Sequence, residues 1–325
     1  MNKNLATWQL IHRSLQSSVP VMLLYVLESR GSSPGRQGYF MAINAQDEME
    51  GSIGGGIMEH KFVELAKEQL AKQQDISTIR KQLHDKKAAK NQSGMICSGE
   101  QTVWIYMVRK KEAPAIQEII TSLQTYSIGS LFLSAAGLTF TAGILPNDDF
   151  QLSMPSENDW SYTEKIGYKN QLFIVGGGHC SLALSKLMRS MDFYIRVYDD
   201  RQDLNTVAQN EFAHETILLD SYEKLTELIP PGNKNHYVVI MTFGYRTDDI
   251  ALRALLNKPL RYLGLLGSAN KINNMFTAYE ANGISRESLM AIHAPIGLTI
   301  KSQTPEEIAI SIAAEIIKEK NKDYI

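Results

Sequence analysis

Two cysteines, Cys97 and Cys180, are all that the 325 residues contain. A disulfide framework needs more, so the pair is expected to persist as thiols in a reducing compartment, and a cytoplasmic location follows. No C-x-x-C or H-x-x-x-H spacing occurs, so no metal site is legible from spacing alone. Long apolar runs are also missing. Val19 to Leu27 ends at Glu28 and Arg30, too short to span a bilayer, and MNKNLATWQLIHRS has no apolar signal core. Charge of one sign is not in excess: the formal net charge is −2, which gives no general affinity for nucleic acid or a membrane surface. There is no repeat and no low-complexity tract.

What is present is a globular composition, 44% hydrophobic and 21% charged, and enough chain for two cores. Helix is expected near 8–16, 57–73 and 114–124, with strands at Val19–Leu27, Tyr39–Ile43 and Thr102–Val108 and a hairpin over 129–144. Residues 146–168 are polar and aperiodic. The expected division is therefore an N-terminal α+β domain over 1–150, a linker over 151–169 and a C-terminal domain over 170–325. From Gln171 the rhythm becomes strand, glycine turn, helix. Strands are expected at Gln171–Val175, Tyr194–Tyr198, Thr216–Leu219, Tyr237–Thr242 and Tyr262–Leu266, with helices at 180–191, 221–228 and 248–256. Short continuously apolar strands separated by helices imply a parallel sheet covered on both faces, a Rossmann-type α/β fold. Thr304-Pro305-Glu306-Glu307 marks the start of a final helix by cap, proline and capping box.

Leu172-Phe173-Ile174-Val175-Gly176-Gly177-Gly178-His179-Cys180-Ser181 reads as buried strand, glycine turn and helix start. Gly176 and Gly178 allow a sharp turn and close approach of a pyrophosphate to free helix N–H groups, and Ser181 stands where the third glycine is usual. Asp199 lies 21 residues after Gly178, close to the spacing of about 20 for an acid that binds a ribose hydroxyl. It favours NAD over NADP, with Arg201 nearby as a group that accommodates a phosphate. The turn equally suits a Rossmann domain that binds another ligand, or none. His179 is either a phosphate donor or a cap-region residue. The sole Tyr-x-x-x-Lys, Tyr106 to Lys110, falls in the wrong domain for a short-chain dehydrogenase.

Taken together, several segments resemble the XdhC/CoxI family, the accessory factors of xanthine dehydrogenase and related molybdenum hydroxylases. They are Gly31-Ser32-Ser33-Pro34 with Gly38, Gly51-Ser52-Ile53-Gly54-Gly55-Gly56-Ile57-Met58-Glu59, and Gly94-Met95-Ile96-Cys97-Ser98-Gly99. In the second half they are Val175 to His179, Tyr198-Asp199-Asp200-Arg201, Gly264-Leu265-Leu266-Gly267-Ser268 with Lys271, and His293-Ala294-Pro295-Ile296-Gly297-Leu298 followed by Thr304 to Ala309. The order and spacing match along nearly the whole chain except about 111–168. The resemblance implies a family-specific N-terminal domain and a C-terminal Rossmann domain. It also implies a protein that binds the molybdenum cofactor (molybdopterin), assists its sulfuration with a cysteine desulfurase, and hands it to a xanthine dehydrogenase-type molybdenum hydroxylase. That is a chaperone more than a catalyst. Ile57 stands where many relatives carry Cys, Ile96-Cys97 where many carry a Cys pair, Phe243 where a His is frequent, and Thr299 where Asp is usual. Cys97 is thus the one cysteine in a matched motif.

On this reading Gly54, Gly55 and Gly56 ahead of a helix, with Ser32, Ser33 and Arg36 in a nearby loop, are expected to form a nest for the cofactor phosphate. The alternative is that the glycines only turn the chain and Arg36 is solvated. Cys97 is the expected soft ligand for the metal or its sulfur. Glu59 either caps its helix or serves the site. Cys180 is expected to be packing, and Arg80 to Lys90 a solvated face or a docking segment. The expected cofactor-binding set is Ser33, Arg36, Gly54, Gly55, Gly56, Glu59, Cys97, Gly176, Gly178, His179 and Asp199, with NAD or a related nucleotide a further ligand. Two rival functions remain, an NAD(P)-dependent oxidoreductase and a nucleotide-sensing regulator. A homodimer is left open.

Overall fold

The computed structural model describes residues 3–31, 33–72, 74–83, 99–144 and 148–322. It divides into two units, Met1–Gly167 and Tyr168–Ile325. The first is built on an antiparallel sheet in the order β3-β2-β1-β5-β4. Its strands are β1 (Val21–Gly31), β2 (Phe40–Asn44), β3 (Met49–Gly51), β4 (Ser77–Leu83) and β5 (Gly99–Met107). Side chains of a strand alternate between faces, and β1 is apolar on both. Val21, Leu23, Tyr25 and Leu27 join a core with α1 (Lys3–Gln16) and α3 (Ala113–Gln124), while Met22, Leu24 and Val26 join another with α2 (Gly56–Lys72). A second antiparallel sheet, β7-β6-β9-β8, closes the first of these cores. Its strands are β6 (Gly129–Ser134), β7 (Gly137–Ala142), β8 (Phe150–Ser153) and β9 (Ser161–Ile166).

Residues 151–169, expected as a linker, instead carry most of β8 and all of β9, both within the first unit. Along β9 the inward positions are Tyr162, Glu164 and Ile166. The glutamate breaks the apolar alternation that would reveal the strand. It is tolerated inside because its Oε2 accepts hydrogen bonds from the hydroxyls of Tyr25 (2.5 Å) and Tyr162 (2.9 Å). Within the basic segment, Arg80 and Lys81 are exposed on β4, an edge strand, where cations discourage pairing with other chains. Residues 84–90 of that segment lie outside the described residues. Tyr106 of the Tyr-x-x-x-Lys pattern is buried and donates to Glu112 Oε1 (2.5 Å). Burial and that carboxylate push its phenol far above the usual range, which unsuits it for proton transfer.

The second unit has a five-stranded, wholly parallel sheet in the order β12-β11-β10-β13-β14. The strands are β10 (Asn170–Val175), β11 (Phe193–Asp199), β12 (Glu215–Leu218), β13 (Gly232–Ile240) and β14 (Leu260–Leu265). One face is covered by α4 (His179–Arg189) and α10 (Pro305–Lys320). The other is covered by α7 (Tyr245–Leu255), α8 (Ala269–Ala281) and α9 (Arg286–Met290). Short helices α5 (Asn205–Ala208) and α6 (Leu225–Leu228) complete the crossovers. The expected Rossmann-type architecture is observed, and α10 opens with Thr304 and Glu307 in a reciprocal capping box. No helix among the described residues is long and apolar enough to cross a membrane.

His214 couples this unit to pH. Its Nδ1 accepts the Ile195 backbone N–H (2.9 Å), so the ring is neutral with its proton on Nε2. It stacks on Tyr194 at 4.3 Å. Burial, then Arg189 and Arg196, push its pKa down to about 3. A His pKa depressed by folding contributes stability that is complete above the unfolded value of about 6.5 and is lost as pH falls toward 3. Urea midpoints of the protein should drop between pH 7 and pH 4. His214→Gln, which keeps an acceptor but does not titrate, should flatten that slope; an unchanged slope would show that His214 is not a source of it.

Candidate functional site

In the first unit two glycine loops meet back to back. A Cβ on Gly54 would fall 2.3 Å from the Gly35 nitrogen, and one on Gly35 would fall 1.9 Å from the Ile53 carbonyl oxygen. Only glycine permits that approach. Gly54, Gly55 and Gly56 all hold positive φ (125°, 73° and 74°), the left-handed region that disfavours side chains. Gln101 on β5 ties the joint by donating Nε2 to the Ile53 carbonyl (2.9 Å). Among the described residues three buried polar atoms in this neighbourhood have no hydrogen-bond partner: Ser33 Oγ, Gln101 Oε1 and, on β4 opposite Gln101, Gln82 Oε1. An orphaned buried polar group costs about 1–3 kcal/mol and calls for a reason. Arg36 is exposed and donates Nη1 to the Gly31 carbonyl (3.2 Å).

The phosphate nest expected at Gly54–Gly56 is corrected by Glu59. Its Oε2 accepts from Ser52 Oγ (2.6 Å), Ile53 N–H (2.9 Å) and Gly55 N–H (3.0 Å), and Ser52 Oγ in turn accepts from Gly54 N–H (3.1 Å). The Ile53 and Gly55 N–H groups already serve the chain's own carboxylate and Gly54 N–H serves Ser52, and the charge of Glu59 would repel a second anion. Glu59 thus holds the loop to the start of α2. Cys97 and Ser32 lie outside the described residues. Gly99, two residues along the sequence from Cys97, pairs with Gly31, two residues before Ser33.

In the second unit the glycine turn joins β10 to α4, at the point where neighbouring strands leave in opposite directions. A Cβ on Gly176 would lie 2.3 Å from the Met241 carbonyl oxygen, whereas one on Gly178 would meet nothing within 4 Å. His179 is exposed at the helix start. Asp199 is a second correction. Its Oδ2 accepts from Gly177 N–H (2.6 Å) and Arg201 Nη2 (2.7 Å), and its Oδ1 from Arg201 N–H (2.9 Å) and Nε (2.8 Å). The carboxylate is buried and its lone pairs are used, so it is not presented to a ribose. Burial opposes its ionisation, but the bonds from Arg201 and the two N–H groups outweigh that and hold its pKa below the usual carboxylate range.

Beyond the switch point stands a group that sequence reasoning missed. Asp248, fully buried in the first turn of α7, accepts from Thr242 N–H (3.0 Å), Thr242 Oγ1 (2.5 Å) and Lys271 Nζ. Ser268 caps α8 by accepting from Lys271 N–H (3.3 Å). Lys271 stood beside a resembling segment and Thr242 at the end of an expected strand, but an aspartate just inside a helix start is too common a cap-region residue to draw notice. Gln101 was missed because it lies on a strand with no motif. The His293–Leu298 segment is structural: Glu315 Oε2 accepts from Tyr262 hydroxyl (2.6 Å) and Gly297 N–H (2.8 Å), and its Oε1 lies 3.3 Å from His293 Nδ1. The described residues contain no group of three or more His, Cys, Asp or Glu placed to hold a metal ion.

Comparison with known proteins agrees with this architecture. A family model described as the XdhC Rossmann domain matches residues 172–316, and one described as the XdhC and CoxI family matches residues 14–80. The chain is 26% identical over 312 residues to the uncharacterized protein YqeB of Escherichia coli K12, covering 94% of this chain and 44% of that protein. It is 27% identical over 161 residues to a probable xanthine dehydrogenase subunit of Bacillus subtilis 168, covering 50% of this chain and 46% of that protein. The chain therefore matches less than half the length of either curated relative. The crystal structure of a xanthine dehydrogenase from Bacillus halodurans shares the fold, with a TM-score of 0.69 at 22% identity, covering 98% of this chain and 96% of that one.

The Glu59 arrangement is open to direct test. Glu59→Ala removes the acceptor of three hydrogen bonds and leaves Ile53 N–H, part of a buried residue, without its partner. Unfolding in denaturant should lose about 1–3 kcal/mol. Glu59→Gln, which keeps one acceptor oxygen without the charge, should fall between. A loss below about 0.5 kcal/mol, the range of ordinary surface substitutions, would mean that the loop holds itself.

Proposed function

This chain belongs to the XdhC and CoxI family, and on that premise we propose that it is an accessory factor of a xanthine dehydrogenase-type molybdenum hydroxylase that binds the molybdenum cofactor and assists its sulfuration and insertion. The observation that carries the reading, beside membership, is the pair of orphaned buried polar atoms at the glycine joint, Ser33 Oγ and Gln101 Oε1. A serine hydroxyl donates and accepts, and an amide oxygen accepts, so the two suit the polar edge of a pterin. Arg36, with an exposed guanidinium, is the cation for its phosphate, since Glu59 closes the glycine loop to anions. When bound, the cofactor brings a molybdenum–dithiolene centre, the site of the hydroxylase's chemistry and of sulfuration. The sulfur would come from a cysteine desulfurase.

Of the two thiols, Cys97 is the better soft ligand. Cys180 is half-buried at the start of α4, and burial, then Glu306, push its thiol above the usual range, so it stays protonated and a poor ligand. Cys97 stands in a family-matched segment between glycines, and a thiolate there would complete a set with Ser33 and Arg36. The protein's part is to hold the pterin by its edges and present the metal end to a partner.

Protein purified from a molybdenum-replete host should carry pterin, detected by native mass spectrometry and by fluorescence after oxidation. Cys97→Ser should lose it with the melting temperature nearly unchanged, and Cys180→Ser should retain it. Wild-type protein without pterin would sink the binding function. Full retention by Cys97→Ser would pass the ligand role to another group.

A further inference from the structure

At the last residue of β11 the Asp199 carboxylate is hidden and the Arg201 guanidinium that covers it faces solvent. The Asp199 side chain is 3% exposed and the Arg201 side chain 36%. We propose that the Rossmann crevice binds an adenosine nucleotide bearing a phosphomonoester on its ribose, and that Arg201 selects it. The proposal concerns the second unit alone and does not rest on the cofactor reading.

A ribose hydroxyl is recognised here by donating to a carboxylate lone pair. All four hydrogen bonds described for Asp199 come from Gly177 and Arg201, so a hydroxyl must first displace a charge-assisted pair. Arg201 is the reverse case. A guanidinium has five N–H donors, and the side chain spends only Nε and one Nη2 hydrogen on Asp199. The remaining donors are held in a fixed fork, so little side-chain entropy is left to lose when an anion arrives. A phosphomonoester, dianionic and rich in acceptors, fits such a fork better than a hydroxyl does.

The surroundings suit the rest of the ligand. Phe243, on the loop after β13, is 88% exposed, and its ring centroid lies 5.7 Å from the Arg201 guanidinium. An aromatic ring so placed has no role in the core, and with the guanidinium it offers flat surfaces on which a base can stack. Space beside Gly178 leaves the backbone at the start of α4 open to a pyrophosphate. The neighbouring acid Asp200 is exposed and accepts the Tyr222 hydroxyl on Oδ1 (3.0 Å), which ties that oxygen to the Tyr222 side of the crevice.

The ligand's phosphate could stand at the 2′ position, as in NADP, or at the 3′ position, as in coenzyme A. Calorimetric titration of the full chain with 2′,5′-ADP, 3′,5′-ADP and 5′-ADP separates these. One phosphomonoester isomer should bind at least about tenfold more tightly than 5′-ADP, the value of one charged hydrogen bond, and its identity names the source. Arg201→Ala should abolish or invert the preference by freeing Asp199. Arg201→Lys, which keeps the charge, should retain part of it and serves as the control should the alanine variant unfold. Binding of 5′-ADP or NAD as tight as that of both phosphorylated forms, or no binding by any of them, would overturn the proposal.

Discussion

Carboxylates turned inward onto backbone N–H groups hold the loops on which both candidate sites stand. Glu59 binds the N–H groups of Ile53 and Gly55, Asp199 those of Gly177 and Arg201, and Asp248 that of Thr242. Glu112 does the same for Arg109 and Leu138, and Glu315 for Gly297. The physical reason is common to all. A glycine-rich turn has no side chains with which to satisfy its own donors, and an unpaired buried donor is costly. A carboxylate supplies two oxygens and several lone pairs at one point, so a single residue can fix a whole turn. The sheets provide the platform, and the acids determine the shape of what projects from it.

This arrangement also explains which parts of the molecule were legible in sequence. The parallel sheet was, because each central strand is apolar on both faces and each is followed by glycine or a helix start. The α10 capping box was, because Thr304, Pro305 and Glu307 carry their geometry in their spacing. Strand β9 was not, since the inward Glu164 makes its pattern look polar until Tyr25, 139 residues away in sequence, is brought beside it. The same ambiguity governed the sites. Motif spacing identifies that Asp199 and Glu59 matter but not which way they point, and an inward carboxylate reads identically to an outward one in one dimension. Arg36 and Ser33 were named, while Gln101, the residue that ties the adjoining Ile53 loop to the sheet, has no local signature.

A consequence for the first unit is a separation of tasks within one short stretch. Glu59 and Ser52 satisfy the loop itself, whereas Ser33 and Gln101 keep atoms unsatisfied nearby. Were all four engaged with one another, the joint would be a structural turn and nothing more. An orphaned hydroxyl and an orphaned amide oxygen beside backbone that tolerates no side chain at Gly35 or Gly54 instead describe a rigid seat with polar contacts in reserve. Rigidity of this kind fits the cofactor-holding role proposed above.

The second unit repeats a device on both sides of its switch point. Beyond β11 the buried Asp199 holds Arg201, and beyond β13 the buried Asp248 holds Lys271. In each pair the acid is nearly inaccessible, at 3% and 1% exposure, and the base is partly open, at 36% and 25%. Each acid also binds backbone at a strand end, Gly177 in one case and Thr242 in the other. Burying the negative member while leaving the positive one at the surface makes each pair, neutral in sum, a directed dipole whose positive end faces water. Two such dipoles flank the start of α4, whose own N-terminus carries partial positive charge. On the nucleotide proposal these positive ends meet the ligand's phosphates without any excess of basic residues, in a chain whose formal charge is −2.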